Sequence, residues 1–257
     1  MVVFLYRRTR VRFLTLVLSP VVLALAATLA AADSFLTDET FFPVSEQQLQ
    51  RLDGLSWQSA TDPLAALDEE QDALFHMRLI TRAYFQWTME PDKEDLVYDF
   101  LGTLLDRAID REDDYLALLD TGYASMVLAD DLNGLVSLEQ ARWVLPEEVA
   151  EGEEVPPAEE RDDPGVFLAL ALCYAQTDAF LFQNPWEETT NLKREAVLDL
   201  EKAADAASRS PQQAAYAEAL ANVLDYMSYY DGFAEPLQEA DLASRIGPLG
   251  QEPPVGD

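Results

Sequence analysis

The chain has 257 residues, 49% hydrophobic and 25% charged, which excludes a disordered chain and allows one large domain or two small ones. Its formal net charge of −31, from 48 acidic and 17 basic residues, disfavours a nucleic-acid backbone as ligand. One cysteine (Cys173) and one histidine (His76) exclude an intramolecular disulfide and any zinc site built on several such ligands.

Arg7, Arg8, Arg10 and Arg12 precede an uncharged run over residues 13–32 that ends in Ala30, Ala31 and Ala32. This order of positive, apolar and small residues predicts a secretory signal peptide over 1–32, cleaved after Ala32. The alternative is a retained membrane anchor, since twenty apolar residues make about 30 Å of helix. Either way the remainder is expected outside the cytoplasm, periplasmic or otherwise extracytoplasmic. Membrane contact is expected only through 1–32, if uncleaved.

Residues 33–62 show no sustained period and are expected as a linker with one short helix over 46–52. From 63 onward apolar residues recur at helical spacing. Asp62 and Pro63 suit the start of a long helix over 63–89, with Leu67, Leu74, Met77, Ile80, Tyr84 and Trp87 on one stripe. Further helices are predicted over 94–110, 114–130 and 135–145. Residues 147–164 then carry nine acids, three prolines and one arginine, and are expected as an acidic loop. Helices resume over 165–183, 193–208, 212–230 and 233–245, and residues 247–257 are expected as a disordered tail. The helical domain thus spans 63–246, and the predicted fold class is all-α. Its helices are expected as antiparallel pairs stacked as an α-solenoid, with a helical bundle as the alternative.

Ala196, Leu200 and Ala203, followed by Ser210-Pro211, resemble the second helix of a tetratricopeptide repeat and its closing proline. Leu220-Ala221 with Asp231-Gly232-Phe233 resembles a first helix and its turn. Residues 165–245 are therefore similar to a stretched tetratricopeptide-like hairpin, each spacing longer by about one helical turn. The resemblance implies a solenoid whose concave face binds a peptide or protein, and no catalytic residue.

Candidate chemistry is sparse. Asp120-Thr121-Gly122 resembles the Asp-Thr-Gly loop of aspartic proteases, but its flanks have helical period, and Gly122 is better read as a close helix contact. The acidic run from Asp110 to Asp114 resembles a magnesium-binding segment without a second motif, and is better read as charge at a helix boundary. Cys173 sits in an apolar run and is expected to be buried. No cofactor or metal is predicted. The tyrosines of the penultimate helix are the candidate partner-binding residues, although core packing accounts for most of them. Tyr226 and Tyr230 lie four apart on one face, with Tyr229 about 100° round from Tyr230. The functional expectation is a non-enzymatic protein-binding or scaffold factor of the cell envelope. The alternative is an exported all-α enzyme or small-ligand binder using carboxylates in a helical cavity.

Overall fold

The computed structural model describes residues 40–90, 92–111, 114–128, 130–144, 163–181, 192–228, 233, 237–238 and 240–247. Residues 1–32, expected as a signal or anchor, and most of the expected acidic loop and tail lie outside the described residues. Ten helices and no strand occur among those described. They are α1 (Glu46–Gly54), α2 (Thr61–Asp68), α3 (Ala73–Thr88), α4 (Glu94–Asp110), α5 (Tyr115–Val127), α6 (Asp131–Trp143), α7 (Pro164–Leu181), α8 (Leu192–Ala207), α9 (Gln213–Ser228) and α10 (Leu242–Ile246). No described helix is long and apolar enough to cross a membrane.

Side-chain caps set several boundaries. Ser45 and Gln48 close a reciprocal capping box at the start of α1. Asp114 accepts from the backbone N–H groups of Leu116 and Ala117 and so starts α5. The single helix expected over 63–89 is instead two. Asp72 adopts an extended backbone and accepts from Leu74 N–H at 3.0 Å, which starts α3 afresh. The acids Asp68, Glu69 and Glu70 crowd the C-terminal end of α2, where negative charge opposes the helix dipole. Near the end of the chain, Asp241 takes a left-handed backbone conformation (φ 47°) immediately before α10. The continuous helix expected over 233–245 is broken there.

The linker expected over 33–62 is also corrected where it is described. Phe41, Phe42 and Leu52 are fully buried in the common core. Phe42 stands edge-on to Tyr123 of α5 at 5.6 Å between ring centroids, and Phe41 edge-on to Tyr226 of α9 at 6.2 Å. Pairs of large rings recover more than area burial alone, so this segment contributes to the fold rather than spanning to it.

Two helices form the interior. Every residue of α5 from Leu116 to Val127 is buried, as is the run of α7 from Pro164 to Cys173. The consecutive pairs α5/α6 and α7/α8 pack most extensively, as helix hairpins do, and α3 and α9 also pack on α7. Asn222 of α9 donates to the Phe41 carbonyl at 2.8 Å, so the first described residues and the last long helix share one core. The fold is all-α, as expected, with α5 and α7 the helices enclosed by their neighbours.

Candidate functional site

A cavity of about 440 Å³ opens where the starts of α3, α5 and α7 approach the end of α6 and the turn between α8 and α9. Asp72, Tyr115, Arg142, Asp163, Arg209 and Tyr216 are the polar residues that decide its character. Its size falls in the range of small-molecule sites.

The local sequence explains the positions. Asp163-Pro164-Gly165 places a capping carboxylate, a proline at the first helical position and a glycine at a close approach. A Cβ on Gly165 would collide with the side chain of Ala73, so glycine here lets α7 start against α3. Asp163 Oδ1 accepts from Gly165 N–H at 2.7 Å, and its Oδ2 accepts from the Tyr115 hydroxyl at 3.1 Å. Asp72 caps α3 with one oxygen and accepts from Gln48 Nε2 at 2.8 Å with the other. The two carboxylates thus reach the cavity as caps of two different helices.

Tyr216 comes from α9 and is only 4% exposed. Its hydroxyl has no hydrogen-bond partner among the described residues, although it lines the cavity. Burial pushes its pKa up, and the nearby charges of Asp163 and Asp72 push it further. Burial also raises Asp163 above the usual carboxylate range, against the lowering effect of its bonds from Gly165 and Tyr115. Tyr115 rises for the same reasons, burial first and then Asp163. Desolvated acids close together resist ionisation until a positive charge arrives. The fixed cations of the wall are Arg142 and Arg209, and Arg142 lies 3.5 Å from Glu139 on its own helix.

Beside the cavity, His76 and Asp120 form a separate buried pair at 2.7 Å. It accounts for the Asp-Thr-Gly motif residue by residue. Asp120 faces His76, Thr121 donates its hydroxyl to the Leu104 carbonyl at 2.8 Å, and a Cβ on Gly122 would lie 2.6 Å from Leu138 Cγ. All three residues are inside α5, where Gly122 lets α6 approach. Asp114, from the acidic run, is the α5 cap. Cys173 is buried. No group of His, Cys, Asp and Glu that could hold a metal occurs among the described residues.

Of the three tyrosines singled out from the sequence, Tyr226 is 2% exposed and packed on Phe41. It presents no surface to a partner. Tyr229 and Tyr230 lie outside the described residues. Asp72 and Asp163 carry a readable signal as helix caps, but their convergence is a tertiary fact.

No family model matches this chain, and no curated protein or solved structure matches it.

Proposed function

We propose that this protein is a non-enzymatic binding protein whose ligand is a small organic molecule bearing a positively charged nitrogen, held in the cavity between Asp163, Asp72, Tyr115 and Tyr216. The carrying observation is Tyr216, a nearly buried phenol with no partner among the described residues and two carboxylates nearby. The hydroxyl opens on the cavity, so a ligand that displaces water there must bond it or forfeit about 1–3 kcal/mol. An ammonium or guanidinium group would both donate to the carboxylates and relieve their mutual repulsion. Binding is favoured over catalysis because the oxygens of Asp72 and Asp163 already accept bonds from their own helix starts, Gln48 and Tyr115. Neither is left as a free general base. The extracytoplasmic setting rests on the sequence of residues 1–32. A scaffold role for a polypeptide, as the tetratricopeptide-like stretch implies, has separate support in the apolar residues exposed on α4.

The test is thermal unfolding of the purified protein against organic ammonium and guanidinium compounds, with carboxylic acids and neutral polyols alongside. Selected cations should raise Tm, and Tyr216→Phe and Asp163→Asn should remove that rise. Asparagine still caps a helix and phenylalanine keeps the ring, so both variants should fold. No response to any cation, or an equal response in both variants, would overturn the proposal.

A further inference from the structure

The large apolar side chains exposed among the described residues all lie between Met89 and Trp143, and α4 carries a row of them. Tyr98 is 59% exposed, Leu105 41% and Ile109 75%. At 100° per residue these three fall within about 40° of one another, so they form one stripe along the helix. It is not the buried face, which Val97, Phe100, Leu101 and Leu104 supply. About 90° round from the stripe run Asp95, Asp99, Asp106 and Asp110, all exposed. None of the four carboxylates has an ion-pair partner among the described residues. The arginines that could serve them turn away, Arg107 and Arg111 both reaching Asp68 at the end of α2 at 2.8 and 3.1 Å.

This arrangement has a local cost. Asp95 with Asp99, and Asp106 with Asp110, are like charges one turn apart, and the second pair stands at the helix end where negative charge is unfavourable. General acidity of the surface explains the aspartates, but not an apolar stripe beside them.

We infer that the outer face of α4 docks a basic amphipathic helix of a protein partner, its apolar side on Tyr98, Leu105 and Ile109 and its cations against Asp95, Asp99, Asp106 and Asp110. Helix-on-helix docking matches the spacing of the stripe, and the acidic row supplies charge complementarity along the same length. A second copy of this chain fits poorly, because a two-fold contact would bring the same acidic row near itself. An anionic bilayer is repelled by the same row. The site is independent of the cavity.

The test is fluorescence anisotropy of the purified protein with a labelled synthetic peptide of about 18 residues, Leu and Lys set at helical period. A scrambled peptide of the same composition is the control. The amphipathic peptide should bind at least about tenfold more tightly than the scrambled one. The double variant Leu105→Glu, Ile109→Glu should weaken it about tenfold or more, as loss of central anchors does. Both substitutions are at exposed positions, and circular dichroism should report wild-type helicity. Asp99→Asn with Asp106→Asn should reduce the salt dependence of binding, while Tyr216→Phe should leave binding unchanged. Equal binding of the scrambled peptide would mean that the acidic surface simply collects cations, and would overturn the inference. So would undiminished binding to the double variant, or self-association of the protein that the double variant abolishes.

Discussion

Nδ1 of His76 on α3 stands 2.7 Å from Oδ1 of Asp120 on α5, and its Nε2 stands 3.1 Å from the Glu70 carbonyl oxygen. Both ring nitrogens face acceptors, so both are satisfied as donors only in the imidazolium form. Burial opposes that charge. The charge and hydrogen bond of Asp120, helped by the Glu70 carbonyl, overcome it and raise the pKa from its ordinary 6.5 to about 9.

Stability from this pair therefore follows the raised value. It is fully present below about pH 6.5 and is lost as pH rises through about 9. Urea unfolding of the wild type and His76→Gln across pH 6 to 9.5 should show the difference between them shrinking at the alkaline end. A difference that does not change with pH would contradict the charged pair. His76→Ala should cost about 3 kcal/mol or more at neutral pH, because it leaves Asp120 buried without its cation.

Gly122 tests the contact between α5 and α6. An added methyl group would lie 2.6 Å from Leu138 Cγ and 3.1 Å from the Gly134 carbonyl oxygen, so Leu138 or α6 itself must shift. Gly122→Ala should destabilise by about 1–3 kcal/mol, although alanine is the better helix former. Chemical denaturation gives the answer, and a variant as stable as the wild type would mean that the two helices separate freely.

Asp199 on α8 is fully buried, with Oδ1 accepting from Lys202 at 3.0 Å and Oδ2 without a partner among the described residues. Burial raises its pKa, outweighing the opposite pull of Lys202. The sign here is that of an acid shifted upward: the folded state is penalised as pH rises past the unfolded value. Asp199→Asn should therefore stabilise the protein at neutral pH and lose that advantage in acid. Thermal unfolding at pH 4 and pH 7.5 would show it. A variant destabilised at both would mean that the charge of Asp199 holds Lys202 at a net gain.

Much of the helical fold was legible because its cause is local. The α5 start follows from Asp114, and the apolar run around Cys173 announces the buried helix α7, while the acidic composition of 147–164 conceals its cap at Asp163. The break between α2 and α3 was not, because periodicity runs through it and only the Asp72 cap reveals it. The core role of Phe41 and Phe42 was hidden because their partners, Tyr226 and Tyr123, lie far along the chain. For Tyr226 the spacing gives a face but not what covers it, and Phe41 decides that the face is core. The cavity depends on three helix starts meeting, which no single window of sequence contains.

Isothermal titration, at pH 7.5, of the organic cation that most raises Tm tests the cavity as a ligand site most directly. The wild type should bind it at one saturable site. Asp163→Asn and Tyr216→Phe should each weaken binding about tenfold or more while still unfolding cooperatively near the wild-type temperature. Binding unchanged in both variants, or only weak and unsaturable uptake of cations by the wild type, would contradict a ligand site in this cavity.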